Sequence, residues 1–304
     1  MERRRLKTAL VARGHTQALI DGSVRPRSCD FAFEEVPAII QAFRRMVRGL
    51  EFDVAELAVT TYICARAHGK PFTAIPVFPM RAFHHGAILH HTGSGIRTPK
   101  DLEGRRVGVN RGYTVTTGVW ARGILQHQYG VDLNSITWVL SGDEHVAEWR
   151  PPVNVVSIEP GKKMEEMLIA GEIAAAIGVH VDSPDVKPLI PNAAAAGLDA
   201  LRSRGLYPIN HTVVVKNDLL NAYPGLARDL FEAFTDAKRL YIDRVDDPML
   251  LEVQEIIGDP LPYGVAPNRK VLEGLIDHAM TQRIITNRMS VEELFAPGTH
   301  ELVG

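Results

Sequence analysis

Gly95-Ile96-Arg97-Thr98-Pro99-Lys100-Asp101-Leu102-Glu103-Gly104-Arg105-Arg106-Val107-Gly108-Val109 opens a new folding unit partway along the chain. Thr98 is a capping residue, and Pro99 suits the first position of a helical turn because its φ is already fixed. The turn at Glu103-Gly104 then feeds Val107-Gly108-Val109, an apolar run that reads as a buried strand. Downstream, the patterns predict a helix over Tyr113 to Tyr129, a strand over Ile136 to Leu140, a helix over Lys162 to Ala170 and a strand over Ile173 to Val179. That is a βαβ succession of its own. Upstream, Leu6 to Val11 reads as a strand. Phe33 to Leu50 reads as a helix with Val36, Ile39, Ile40, Phe43, Met46 and Val47 at helical spacing. Phe52 to Leu57 and Phe72 to Val77 are further strands, and the alternation predicts a parallel sheet. After the Ala-rich stretch Asn192 to Arg204, the strand Thr212 to Val215 leads into helices over Leu230 to Tyr241, Met249 to Ile256, Arg269 to Gln282 and Val291 to Phe295.

A chain of 304 residues with 45% hydrophobic content holds more core than one compact domain usually does. Lys and Arg total 34 against 36 for Asp and Glu, so the formal charge of −2 gives no global field toward nucleic acid or an anionic membrane. No run approaches the roughly 20 apolar residues of a spanning helix. The basic leader Met1 to Lys7 meets Arg13-Gly14-His15 before a signal-peptide core can form, which points to the cytoplasm. Cys29 and Cys64 read as reduced core residues and rule out a cysteine-based metal site. Gly93-Ser94-Gly95 lacks the Lys-Ser/Thr ending of a phosphate-binding loop and the spacing of a dinucleotide turn.

Three stretches resemble the type II periplasmic-binding-protein fold: the opening segment above, Leu168 to Ile177, and His211 to Leu220 with Tyr223-Pro224. The resemblance implies two α/β lobes with a ligand cleft between them, residues 1–88 and 208–304 forming one lobe and 89–207 the other. More specific motifs run through nearly the whole chain. Phe52 to Leu57, Ile75 to His85, Trp120 to Leu125, Pro208 to His211, Tyr263 to Arg269 and Glu292 to Glu301 resemble the 4,5-dihydroxyphthalate decarboxylase family. At His84 and His180 the family pattern carries arginine, a permanent fork for carboxylates, and this chain carries a titratable imidazole.

The resemblance implies non-oxidative loss of CO2 from a hydroxylated aromatic dicarboxylate. An aryl carbanion is too unstable to form directly. A ring hydroxyl ortho or para to the carboxylate offers a way round: its proton is removed or shared, the ring carbon is protonated, and aromaticity returns as CO2 leaves. The site needs an acid, a base and an anion clamp. Arg81, in the Pro79-Met80-Arg81-Ala82-Phe83 motif, is the candidate clamp; without the motif it would read as a surface arginine. His85 and His211 are the candidate proton donors, set against the plain reading of satisfied structural histidines. Glu56 lies near a strand end, where open α/β sheets place ligand-binding groups, and either takes the phenolic proton, orients a histidine, or is a buried carboxylate paired with an arginine.

Thr60 and Thr61 are candidate hydrogen-bond donors to substrate. Thr114 and Thr116 stand at a helix start suited to an anion, with Arg111 adding charge and Trp120 a stacking wall; ordinary capping and core packing are the bland alternatives. His84 and His180 join the substrate-binding candidates, as does Arg269, although Pro267-Asn268-Arg269 also reads as a helix start. The cluster His84, His85, His90 and His91 does not favour a metal, since neighbouring residues on a strand point to opposite faces and no carboxylate is close in sequence. A site without a cofactor is expected, with a divalent ion on His85, His211 and Glu56 as the alternative. The implied partner is a small aromatic acid, and family precedent implies a homo-oligomer. Two other functional readings stay open: a non-catalytic binding protein for a small organic anion, and a decarboxylase of another aromatic acid.

Overall fold

The computed structural model describes residues 3–304; Met1 and Glu2 of the basic leader lie outside the described residues. Among the described residues eleven strands follow in chain order: β1 (Arg4–Ala9), β2 (Cys29–Phe33), β3 (Val54–Ala58), β4 (Phe72–Arg81), β5 (Ile88–His91), β6 (Arg106–Val109), β7 (Thr137–Leu140), β8 (Val155–Ser157), β9 (Ala175–Ile177), β10 (Val186–Pro188) and β11 (Ile209–Lys216). They form two sheets in two compact units. No helix among the described residues is long and apolar enough to cross a membrane.

The first unit runs to Arg81 and is completed by Ile209–Gly274 and Arg288–Gly304. Its sheet has the order β2-β1-β3-β11-β4. β1 is parallel to β2 and β3, whereas β11 is antiparallel to β3 and β4, so the expected parallel sheet is a mixed one. Strand direction leaves no trace in the apolar pattern of a strand covered on both faces, and Val213, Val214 and Val215 are all fully buried. β4 continues past Val77 to Arg81 by pairing with β11, with one register shift between Ile75 and Met80, where Pro76 and Pro79 have no N–H to donate, and a second between Met80 and Arg81. The helix Ile39–Gly49 buries Ala42, Phe43, Met46 and Val47. It starts later than the apolar spacing suggests because Pro37 disfavours a helical Val36, and Phe33 instead ends edge strand β2. Cys29 and Cys64 are both buried and form no disulfide.

The second unit comprises Ala82–Pro208 and Leu275–Asn287. Its sheet order is β10-β5-β9-β6-β7-β8; β6, β7, β8 and β9 pair in parallel, and β5 runs antiparallel to β9 and β10. Val139, Met164, Met167, Leu168, Ile173 and Ala176 form a core cluster. Gly108 is needed there, since a Cβ would lie 2.7 Å from Met164 Sδ and 2.9 Å from Ile173 Cδ1. The Ala-rich stretch forms the helix Ala193–Arg204. The boundaries differ from the expected lobes at Pro208, which closes the second unit, and over two longer stretches. Residues 82–88 group with the second unit, where Gly178 N donates to Ala87 O at 2.9 Å and the rings of Phe83 and Tyr207 lie 5.5 Å apart. Residues 275–287 do so as well, through Gln282 Nε2 to Val119 O at 2.9 Å and Trp149 Nε1 to Arg283 O at 3.2 Å.

Two buried imidazoles tie the fold to pH. His15 binds Pro79 O through Nε2 at 3.0 Å, and burial, reinforced by the charge of Arg13, pushes it down to about 4. His278 packs edge-on against Trp120 at 5.2 Å and beside His127 at 5.0 Å, and burial, then the His127 charge, pushes it down to about 4 as well. The unfolded chain takes up these protons first, near the ordinary 6.5, so stability is lost as pH falls from there toward 4. At roughly 1.4 kcal/mol per pH unit the loss is on the order of 3 kcal/mol for each imidazole. In His278→Asn the dependence of the thermal midpoint on pH across that window should flatten by about half, and an unchanged slope would refute the assignment.

Gly264 supplies a second check. Its φ is +101°, and a Cβ there would lie 2.3 Å from the carbonyl oxygen of Leu302. Gly264→Ala is expected to cost more than about 2 kcal/mol in denaturant unfolding, from backbone strain and a clash with main chain that cannot swing aside.

Candidate active site

In the first unit, Glu56 on β3 pairs with Val213 on β11, and Ala58 pairs with His211. In that register Glu56 and His211 are diagonal neighbours on one face of the sheet, within reach of two long side chains. His211 Nδ1 lies 2.5 Å from Glu56 Oε1. The same carboxylate accepts a fork from Arg13, Nη2 to Oε1 at 2.7 Å and Nη1 to Oε2 at 2.9 Å, and Val11 N donates to Oε2 at 3.1 Å. The Glu56 side chain has no exposed surface, while 12% of the His211 side chain remains accessible. Burial alone would push the Glu56 carboxyl up. The hydrogen bond and charge of His211, then those of Arg13, outweigh burial and hold the group at about 2. A carboxylate that stays ionised accepts from Nδ1–H, which assigns the neutral imidazole to the tautomer with its lone pair on Nε2. Phe43 meets the ring edge-on at 5.0 Å and fixes its plane.

The turn after β1 presents Arg13. Arg13 N donates to Thr16 Oγ1 at 2.8 Å, and Thr16 Oγ1 donates to Val11 O at 2.8 Å. Gly14 lets the turn pass Tyr241, whose Cε2 would lie 2.0 Å from a Cβ. Arg81, the last residue of β4, donates through Nη2 to Pro262 O at 3.1 Å and to Asn268 Oδ1. Asn268 is fixed in turn by Gly264 O at 2.8 Å. Tyr263 between them is buried, its hydroxyl has no hydrogen-bond partner, and burial pushes its pKa far up against the nearby charge of Arg81.

Thr60 and Thr61 are fully buried in the helix Val59–Ala67, directly after β3. Arg269 faces solvent, paired with Glu292 at 2.5 Å and Glu273 at 3.8 Å.

The remaining candidates belong to the second unit. His85 is fully buried in a short turn rather than on a strand, with Nε2 3.0 Å from Gln128 Oε1 and no hydrogen bond at Nδ1. Burial pulls it below the ordinary imidazole range. His84 precedes it, also buried, and His180 is exposed. The helix start offered to an anion serves a carboxylate of the chain itself: Glu144 accepts from Tyr113 N, from Thr114 N at 3.1 Å and from Thr114 Oγ1 at 2.6 Å. Thr116 is buried in the first turn of the helix Thr116–Tyr129. Arg111 is exposed, with φ +70° and its N–H on Ser141 Oγ at 2.7 Å. Trp120 is fully buried core, beside a fully buried Arg122 that binds Gln282 Oε1 at 2.8 Å and lies 3.7 Å over the Tyr113 ring.

The structure therefore joins Glu56 to His211, and both to Arg13, a residue with no role in the sequence reading. Glu144 was also missed. A topological signal exists for each: β1 neighbours β3 and β7 neighbours β6, in parallel, so the loops after both members of a pair emerge at the same sheet edge. Among the described residues no group of three or more His, Cys, Asp or Glu side chains is placed to hold a metal ion.

No protein-family model matches the chain. A 4,5-dihydroxyphthalate decarboxylase of Comamonas testosteroni is 30% identical over 330 aligned positions, covering 99% of both chains. One from Pseudomonas putida is 34% identical over 176 positions, 54% of this chain and 66% of that protein. Among solved structures, the periplasmic aliphatic sulphonate binding protein SsuA of Escherichia coli matches with a TM-score of 0.57 at 14% identity, covering 100% of this chain and 94% of its own. The desulfurization enzyme DSZB matches with a TM-score of 0.54 at 14% identity, covering 97% of each chain. These two likenesses show the periplasmic-binding-protein-like fold and nothing of the reaction. Similarity to the Comamonas protein along essentially the whole of both sequences does more: the chain belongs to the 4,5-dihydroxyphthalate decarboxylase family, a family of carboxy-lyases.

Proposed function

We propose that this protein removes one carboxylate of 4,5-dihydroxyphthalate as CO2 and forms protocatechuate, with His211 as the proton donor to ring carbon and Glu56 as the carboxylate that orients it. The observation that carries the reading is the buried Glu56–His211 pair, 2.5 Å apart, in a chain of that family. The hydroxyl para to the departing carboxylate gives up its proton, and its electrons flow into the ring. The carbon bearing the carboxylate takes the proton from His211 Nε2. The C–C bond then breaks, CO2 leaves, and its electron pair restores the aromatic ring. The phenolic proton, released to solvent in the first step, returns to the oxygen, so the one proton consumed for each CO2 released is the one delivered to ring carbon, and no oxidant or reductant takes part.

His211 is preferred to His85 on electrostatic grounds. His211 has an ionised carboxylate at Nδ1 that fixes its tautomer and aims Nε2, whereas His85 has a neutral Gln128 as neighbour and is pulled toward its neutral form by burial. Arg81 is assigned as the clamp on the carboxylate that stays. Asn268 and Pro262 O are neutral acceptors that orient its guanidinium without themselves cancelling its charge.

Purified protein with 4,5-dihydroxyphthalate should release CO2 and protocatechuate without added cofactor, and EDTA should leave the rate unchanged. His211→Asn is expected to lower kcat by about 100-fold or more, within the range for loss of a general acid, and His85→Asn by less than about tenfold. Binding without turnover would favour a solute-binding role. Full activity in His211→Asn would remove the proposed donor, and inactivation by EDTA would put a metal in the mechanism.

A further inference from the structure

We infer that Arg13 is a positioning residue: its fork holds the Glu56 carboxylate as a fixed anion, so that the transferable proton of the pair resides on His211 and not on Glu56. The inference rests on the proposed use of His211 as proton donor, and it deepens that reading by saying what decides where the proton sits. In an imidazole–carboxylate contact of 2.5 Å the proton has two addresses, and the balance between them follows the relative basicity of the two groups. A carboxylate buried without exposed surface and given only an imidazole would gain by taking the proton and becoming neutral. Arg13 opposes that by placing one N–H on each oxygen, at 2.7 and 2.9 Å, while Val11 N adds a third donor at 3.1 Å. The two-pronged contact also fixes the plane of the carboxylate, which a point charge would not do.

The backbone around Arg13 is set before any ligand arrives. Thr16 closes the turn from both sides through its contacts with Arg13 N and Val11 O, and His15 anchors it to Pro79 O at 3.0 Å. Arg13 and Val11 thus belong to one rigid turn that ends on one carboxylate. Other charged or titratable groups near this cluster are His15, Lys238, Asp259, Arg81 and Tyr263; among the acids of the described residues, Glu56 is the one that Arg13 hydrogen-bonds. A purely structural ion pair would neutralise Glu56 equally well with a lysine. Control of the proton's address requires the fork.

The test compares Arg13→Met, which loses charge and fork, with Arg13→Lys, which keeps charge alone. The first readout is the low-field proton NMR resonance of His211 Nδ1–H in free protein, assigned by its disappearance in His211→Asn. It should be lost or displaced by more than about 1 ppm in Arg13→Met and displaced in Arg13→Lys. The second is the pH profile of kcat/KM on 4,5-dihydroxyphthalate. Protonation of Glu56 contributes to the acid side, and removing a cation within hydrogen-bond distance should move that side to higher pH. Added guanidinium should restore Arg13→Met at least severalfold. Unchanged resonance and profile in both variants, with only a lower thermal midpoint, would overturn the inference. Should Arg13→Met fail to fold, Arg13→Lys decides the matter by the same two readouts. The NMR signal needs no substrate. Native protein that shows the expected resonance behaviour and no turnover therefore sinks the proposed reaction and leaves the role of Arg13 standing.

Discussion

A buried negative charge has to be answered, and in the first unit two separate pieces of chain answer that of Glu56 on β3: the turn after β1, and strand β11 that carries His211. Taking one partner away from such a pair leaves a charge stranded in low dielectric, at a cost of roughly 3–5 kcal/mol. That constraint links function to fold. The register of β3 against β11 cannot slip by one residue without turning Glu56 or His211 to the opposite face of the sheet. The pairing of β3 with β11 therefore keeps the polar pair together, and Arg13 makes it tolerable inside the core.

The second unit meets an equivalent demand differently. Glu144 enters the start of the helix Thr116–Tyr129, where main-chain amides of Tyr113 and Thr114 and one hydroxyl receive it. Gly112 makes the approach feasible, since a Cβ there would lie 2.6 Å from Glu144 Oε2. These are neutral donors, so this carboxylate is stabilised by dipoles, while Glu56 is stabilised by a full cation. The difference bears on chemistry: in the Glu56 cluster the anion is in direct contact with an imidazole, and in the Glu144 cluster it meets amides and a hydroxyl.

Much of the architecture is legible in the sequence because periodicity is local. The helix face Phe43, Met46 and Val47, the buried strand Val107 to Val109 and the capped turn at Thr98 each announce themselves within a few residues. Strand direction, pairing partner and the exact crossing between units are non-local, which is why the mixed sheet, the extension of β4 to Arg81 and the grouping of residues 275–287 were not legible. β2 is a five-residue edge strand with four half-buried positions, too weak a pattern to stand out. For the site, family motifs drew attention to Glu56 and His211 one at a time, but their contact is a property of register. Arg13 carries no motif at all; its role follows from the sheet edge at which its turn emerges.

The plain reading of Glu56 and the role proposed for it meet on one residue. It is a buried carboxylate paired with an arginine, and it is also the group that orients a histidine. These are not competing assignments, because the arginine is what allows the carboxylate to do the orienting: without it, burial would favour a neutral acid and a differently placed proton. A binding protein of this fold has no need to fix a proton's position, since capturing an anion requires donors alone. A decarboxylase that must protonate ring carbon does need it. In the proposed reaction, the fully buried acid, the cation and the hydrogen-bonded turn define the one imidazole tautomer that proton transfer to ring carbon uses.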